Sequence, residues 1–190
     1  CIVAVESIVP AFVKQLEENG VYYIDNETEM LQLTKTVLNH DMKMVRKMEG
    51  KSAMDILEEA GIHPNRPVRL VVVRTFAKHP LVLEECLMPV VPLVAVADFE
   101  EALETALFTE QGYRHTAMVH SQCIDRLSKA AKIMNTTVFI KNGSSLAGIG
   151  LNGEEMASFT IANVTGEGIT TARDFACKRS CTLTSGFSLR

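Results

Sequence analysis

The amino-acid sequence predicts an α/β fold with a largely parallel sheet. Short apolar runs typical of strands alternate with helix-type stretches from residue 2 to about residue 140, the pattern of strands joined by right-handed helical crossovers. Two of the runs, 68–73 and 90–96, are apolar almost throughout, as expected for strands that are covered on both faces. The chain of 190 residues, 47% of them hydrophobic, can bury a core without disulfides or metals.

Capping residues define the predicted helices. Pro10 lies in the first turn of one helix, Asn26 with Glu29 forms a capping-box pattern, and Ser52 and Asp98 are N-caps of two more helices. The predicted helices end at 16, run from 26 towards 38, span 53–60, run from 98 to 108 and span 123–134. The predicted strands are 2–5, 21–24, 68–73, 90–96, 116–120 and 137–140.

From residue 141 onward the sequence changes to loops and short alternating stretches. Near its end, one face of an extended strand collects Cys181, Leu183, Ser185, Phe187 and Leu189. An apolar face of this kind must be buried against other residues. The strand either folds back on its own sheet or pairs with the sheet edge of a neighbouring subunit.

The net charge and the cysteine content argue against several classes of protein. The net charge of −4 argues against a general nucleic-acid binder, and no apolar run has the length of a membrane-spanning helix. Five scattered cysteines without C-x-x-C spacing indicate a reducing cytosol and no zinc site. The start, Cys1-Ile2-Val3, lacks a methionine and lies within a strand, so we interpret the chain as a piece of a longer protein.

Several motif matches lack the context that their chemistry needs. The G-x-G-x-x-G at 148–153 follows its strand by eight residues and precedes a strand, which predicts a mobile or closely packed turn. Gly50-Lys51-Ser52 lacks the earlier glycine of a phosphate-binding loop. His115 and His120 point to opposite faces of a strand and cannot share a metal ion. Surface or loop positions are predicted for three further histidines: His40, His63 and His79.

An acidic stretch contains the candidate ligand site. Residues 81–110 hold seven acidic residues and no Lys or Arg, and most of these acids belong to one helix. Glu84 and Glu85 instead precede the apolar segment Cys86-Leu87-Met88-Pro89, which leads into a buried strand. This position favours ligand binding or an exposed loop.

This region resembles a known family. After His79-Pro80, the run from Glu85 to Leu93 reads E-C-L-M-P-V-V-P-L and resembles the E-x-x-x-P-V-x-P segment of the aldehyde dehydrogenase superfamily. It is most similar to the coenzyme A-acylating branch, the propionaldehyde and acetaldehyde dehydrogenases of bacterial microcompartments. Further similar stretches occur in the same order at 114–121, 138–143 and 165–175. The resemblance is strong over about residues 66–190. Over residues 1–62 the similarity lies mainly in the order of the predicted elements.

The resemblance implies a domain organisation and a reaction. Residues 1–176 would be the catalytic domain, incomplete at its N-terminal edge, 177–190 the oligomerisation strand, and the NAD-binding domain would be absent from this chain. The reaction would convert a short-chain aldehyde to acyl-CoA through a cysteine thioester, with NAD and coenzyme A. Glu85 would contact the nicotinamide ribose, and Leu87 would supply an apolar side chain near that coenzyme.

No catalytic residue is assigned within the chain. The acylating branch carries its nucleophile in a Cys-x-x-Glu arrangement, and Ala4 stands where Cys1 would require Glu. The nucleophile is therefore expected upstream. The resemblance implies a homo-oligomer in ethanolamine or propanediol utilisation, located in the cytoplasm or inside a microcompartment, with no nucleic-acid or membrane partner. The alternatives are a non-catalytic assembly or scaffold module and the aldehyde half of a bifunctional aldehyde–alcohol dehydrogenase.

Overall fold

The computed structural model describes residues 1–153, 157–162, 168–182 and 184, and the chain divides into two units, Cys1–Gly112 and Tyr113–Arg190. The predicted α/β class is confirmed. The assignment of 1–176 to one catalytic domain remains a prediction. The elements of the first unit are β1 (Ile2–Val5), α1 (Val9–Glu18), β2 (Val21–Ile24), α2 (Glu27–Val37), α3 (Ala53–Glu59), β3 (Leu70–Thr75), α4 (Pro80–Leu83), β4 (Val90–Val96) and α5 (Phe99–Glu110).

The first unit is built on a four-stranded parallel sheet in the order β1-β4-β3-β2. Helix α1 packs on one face, where Phe12 and Leu16 contact the cluster around Val72. Helices α2 and α3 pack on the opposite face of β3, which buries Leu33 and Ile56 completely. Both faces are therefore covered, and this explains why the central strands are apolar along their whole length.

The helix caps agree with the predicted ones, with one difference. Ser52 and Asp55 form a complete capping box, each side chain bonding the backbone of the other residue. The Asn26 side chain accepts a hydrogen bond from the Glu29 amide at 2.8 Å. The Glu29 carboxylate, however, accepts a hydrogen bond from the Tyr22 hydroxyl at 3.1 Å, so the second half of the Asn26 capping box is missing.

The predicted bounds of β3, 68–73, were wrong at both ends, since the strand is Leu70–Thr75, and one short helix after it was missed. The strand begins at Leu70 rather than at Val68, because Val68 is buried in the core without joining the strand ladder. The four-residue helix α4 was not predicted. It is too short to show helical periodicity, and the side chain of His79 caps its first turn.

The second unit contains a two-stranded parallel sheet of β5 (Thr116–Val119) and β6 (Val138–Lys141), connected by helix α6 (Ile124–Met134). A short antiparallel pair follows, β7 (Thr160–Ala162) with β8 (Gly168–Thr170). Cys181 and Thr182 are exposed and lie in no regular element, and the other residues of the apolar face, Leu183, Ser185, Phe187 and Leu189, are outside the described residues. None of the helices in the described ranges has the length and apolar character needed to cross a membrane.

Candidate functional site

The acidic candidate site lies where strand β4 begins. Residues 84–89 connect α4 to β4, and β1 runs parallel to β4 with Ile2 opposite Leu93. The segment is therefore at the edge of the sheet where the parallel strands start. This differs from the usual placement of ligands at the carboxyl ends of parallel strands.

The segment 84–88, called the site strip below, presents two of its side chains outward. Glu85 is exposed and Leu87 is 55% exposed, whereas the intervening Cys86 and the following Met88 pack against the main core cluster. This alternation is that of an extended backbone, in which every second side chain lies on the same face. The structure thus brings together the two predicted coenzyme-contacting residues, Glu85 and Leu87, as a carboxylate beside an apolar surface.

Residues distant in sequence hold the site strip in place. Glu84 forms an ion pair with Lys43, and the carbonyl oxygen of Leu87 accepts a hydrogen bond from the Gly50 amide at 3.0 Å. The Gln111 side chain donates a hydrogen bond to the carbonyl oxygen of Leu83, just before the strip, at 2.9 Å. Sequence reasoning missed these supporting residues, since nothing in the local pattern around Lys43 or Gln111 points to a partner in the strip.

Cys86, the cysteine within the site strip, does not have the character of a catalytic nucleophile. Burial raises the pKa of the Cys86 thiol above its ordinary value, so this thiol is protonated at neutral pH. Cys1 is exposed, and its sulfur lies 3.6 Å from the Thr109 hydroxyl. The strand that follows Cys1, β1, pairs with β4, into which the site strip leads.

His79 lies in a loop, one of the two predicted placements, but it is buried rather than at the surface. Its side chain is only 7% exposed, and its Nδ1 atom accepts a hydrogen bond from the Leu81 amide at 3.2 Å. The ring of Phe76 packs edge-on against it, with the ring centroids 5.4 Å apart. Burial lowers the pKa of His79 from its ordinary value of 6.5. This histidine caps α4 in its neutral form and so supports the backbone that precedes the site strip.

We expect the stability of the protein to depend on His79 in mild acid. The pKa of His79 is lower in the folded protein than in the unfolded protein. The contribution of His79 to the free energy of unfolding is therefore complete above about pH 6.5 and falls as the pH drops towards the folded pKa. His79→Asn keeps an N-cap side chain but cannot titrate. In urea unfolding between pH 7.5 and pH 5, wild type should lose more stability than His79→Asn. Parallel losses in the two proteins would contradict this role.

The G-x-G-x-x-G segment is a closely packed turn, one of the two interpretations made from the sequence. A Cβ atom on Gly148 would lie 2.4 Å from Cγ1 of Val138, and one on Gly153 would lie 2.3 Å from the Ala147 carbonyl oxygen. Gly150 has φ +96° and packs against Ala157. The space beside these glycines is filled by the protein's own atoms, so the segment does not have the open backbone that a pyrophosphate needs.

Gly148→Ala should destabilise the second unit. Its new methyl group must displace the side chain of Val138, and overpacking of this kind costs about 1–3 kcal/mol. Chemical denaturation measures the loss. Ser145→Ala, an exposed change in the same short 3-10 helix Ser145–Ile149, is the control and should stay within about 0.5 kcal/mol of wild type. Equal stability of both variants would show that the turn can relax around a side chain.

His115 and His120 are the two histidines whose spacing was predicted to keep them from sharing a metal ion. His115 and His120 are both exposed, and Nδ1 of His115 lies 2.7 Å from the hydroxyl oxygen of its neighbour Thr116. Within the described part of the chain, no three His, Cys, Asp or Glu side chains are grouped as a metal site would require. The site strip thus remains the candidate that the geometry supports.

Comparison with known proteins gives consistent matches along the whole chain. The chain is 43% identical to propanal dehydrogenase (CoA-propanoylating) of Salmonella typhimurium over 191 residues, which cover 100% of this chain and 40% of that protein. It is 36% identical to the acetylating acetaldehyde dehydrogenase EutE of the same organism, covering 99% of this chain and 41% of the relative. No family model matches the chain.

Solved structures match the fold equally well. The propionaldehyde dehydrogenase of Rhodopseudomonas palustris with bound propionyl-CoA is 39% identical with a TM-score of 0.89, over 96% of this chain and 40% of that one. A propionaldehyde dehydrogenase from the fucose utilisation microcompartment of Clostridium phytofermentans is 34% identical with a TM-score of 0.87, over 99% of this chain and 43% of that one. The chain therefore spans about two-fifths of the length of the relatives it matches.

Proposed function

Because the chain belongs to the coenzyme A-acylating aldehyde dehydrogenase family, we propose that the full-length protein oxidises a short-chain aldehyde and transfers the acyl group to coenzyme A. The observation that carries the proposal is the whole-chain similarity to these enzymes. The position of Glu85 and Leu87 on one exposed face supports it at the level of the site. The protein is accordingly an oxidoreductase that uses coenzyme A as its acyl acceptor.

Glu85 and Leu87 are the residues that we assign to the nicotinamide coenzyme, which we propose to be NAD. The exposed Glu85 carboxylate can accept hydrogen bonds from two ribose hydroxyls, and the exposed Leu87 side chain offers an apolar surface beside it. The hydrogen-bond acceptor and the apolar surface of the site strip therefore fit such a coenzyme. When bound, the coenzyme supplies the hydride acceptor that aldehyde oxidation requires.

We infer that the nucleophilic cysteine belongs to the residues that precede Cys1 in the longer protein. The strand β1 runs parallel to β4, into which the site strip leads, so residues that precede β1 belong to the same end of the sheet as the strip. Cys86 is excluded as the nucleophile because its thiol is buried and protonated. Cys1 does not match the family pattern, because Ala4 stands where that pattern has a glutamate.

A polypeptide of these 190 residues alone is expected to show no dehydrogenase turnover. The reaction needs a thiolate, oxyanion-stabilising donors and a bound coenzyme acting together, and loss of any one costs orders of magnitude in rate. The measurement is coenzyme A-dependent NADH formation from propionaldehyde. Steady turnover by this polypeptide that is lost in Cys1→Ser would show that Cys1 is the nucleophile after all.

Assembly and location form part of the proposal. We propose a homo-oligomer held together by a C-terminal strand at 177–190, on the basis of its alternating apolar residues. The relative from a fucose utilisation microcompartment supports a bacterial microcompartment as the alternative to a free cytoplasmic location.

One assay separates the proposed reaction from a non-catalytic scaffold role, the second candidate, which the lack of an assigned nucleophile in this chain and its amphipathic C-terminal segment favour. Purified full-length protein is mixed with propionaldehyde or acetaldehyde, NAD and coenzyme A, and NADH absorbance is followed. NADH formation that requires coenzyme A is the expected result. Absence of NADH formation with either aldehyde would reject the enzyme and favour the scaffold.

A further inference from the structure

The site strip contains two adjacent carboxylates, and only one of them has an ion-pair partner. Glu84 is paired with Lys43, and the two side chains are 29% and 64% exposed, respectively. Glu85, the next residue, is exposed and is not part of any ion pair between described residues. Among the ion pairs of the described residues, the strip thus contributes Glu84 and not Glu85.

Hydrogen bonds within the turn fix the backbone around Lys43. The side-chain oxygen of Asn39 accepts hydrogen bonds from the Asp41 and Lys43 amides, each at 2.9 Å, and the Asn39 amide donates to the Lys43 carbonyl oxygen at 2.9 Å. An antiparallel bridge between Leu38 and Met44 closes this turn at its base. Lys43 is thus presented from a closed turn rather than from a free loop, which reduces the conformational entropy lost on pairing.

Lys43 belongs to the loop that connects α2 to α3, and this loop contacts the strip at a second point. Met48 is completely buried, and two residues later the Gly50 amide donates its hydrogen bond to the Leu87 carbonyl oxygen. Gly50 has φ +73°, a backbone conformation that other residues adopt only with strain. Lys43 and Gly50 therefore hold opposite ends of the strip, on either side of Glu85.

We propose that Lys43 is a positioning residue for the coenzyme site, an inference that rests on the proposed function. It fixes the backbone of the strip through Glu84 and neutralises the carboxylate next to Glu85. The dinucleotide coenzyme and coenzyme A both carry phosphate groups, which a second unpaired carboxylate in the strip would repel. Lys43 thereby lets Glu85 accept hydrogen bonds from the ribose without a second negative charge beside it.

The test compares Lys43→Met with Lys47→Met in the full-length protein. Lys47 lies on the same connection and pairs with Glu59, which Lys51 also contacts at 2.8 Å, so its loss leaves Glu59 paired and does not touch the strip. The first readout, independent of activity, is hydrogen–deuterium exchange of the peptide that covers residues 84–88. We expect faster exchange in Lys43→Met than in wild type and no change in Lys47→Met.

The second readout is steady-state kinetics. An exposed ion pair contributes about 0.2–1 kcal/mol, so Lys43→Met should raise KM for NAD by about 1.4- to 5-fold at low salt with little change in kcat. The difference should shrink at high ionic strength. The charge swap, Lys43→Glu with Glu84→Lys, should restore slow exchange, because the pair is re-formed with opposite polarity.

Each readout can overturn the inference. Equal exchange of the strip in Lys43→Met, Lys47→Met and wild type would show that Lys43 does not position it, whether or not the protein turns over aldehyde. Faster exchange with an unchanged KM for NAD would reject the role in coenzyme binding. An inactive wild-type protein would reject the proposed function, while the exchange data would still decide whether Lys43 holds the strip.

Discussion

Glu85→Gln in the full-length protein is expected to slow the hydride-transfer step by about 10- to 150-fold. The carboxylate is exposed on the same face as Leu87 and is the hydrogen-bond acceptor that we assign to the nicotinamide ribose. A hydrogen bond to a charged group contributes about 1.5–3 kcal/mol, which corresponds to this range of rates when the bond orients the reacting group. Rapid-mixing measurement of the first turnover of NADH formation isolates the step.

The control for Glu85→Gln is Glu104→Gln. Glu104 is an exposed carboxylate on α5, outside the strip, and its replacement makes the same change of charge and shape. We expect its first turnover to match that of wild type. If Glu85→Gln also gave a wild-type first turnover, Glu85 would be an ordinary solvated carboxylate and the assignment of the strip to the coenzyme would fail.

Much of the fold could be predicted because its signals are local. Ser52 and Asp98 are separated from the amides they cap by two or three residues, and the structure contains both caps. The buried strand β4 could also be predicted from a local signal, because its apolar run is nearly as long as the strand itself. Local signals failed in part at His79: the residue lies in a loop, as its neighbours suggested, but its side chain is buried instead of exposed.

The site could be predicted only in part, for the same physical reason. Glu85 and Leu87 were identified through the resemblance of their own segment, and the alternation of burial places them on one face. Lys43 reaches Glu84 across 41 positions of sequence, and Gln111 reaches Leu83 across 28. No local pattern reports such contacts, because they depend on how α2, α4 and α5 pack around the sheet.

Deletion of residues 181–190 is expected to lower the oligomeric state of the full-length protein or to leave it prone to aggregation. The segment alternates apolar and polar residues, and its apolar face includes Leu183, Phe187 and Leu189. Each large apolar side chain contributes about 1.5–3 kcal/mol when fully buried. Loss of three such contacts from an interface would weaken association by several orders of magnitude. Light scattering of the truncated protein measures the change.

Two matched double variants test whether assembly requires the apolar face of this segment or only the presence of the segment. Thr184→Ala with Ser188→Ala alters the opposite face and should leave the oligomer intact, whereas Leu183→Ser with Phe187→Ser should dissociate it as the deletion does. Cys181 and Thr182 are exposed and lie in no strand among the described residues. Gly186 has no side chain on the polar face, so a neighbouring backbone can approach closely there. An unchanged oligomer with an unchanged melting temperature after deletion would mean that the segment is not the link between subunits.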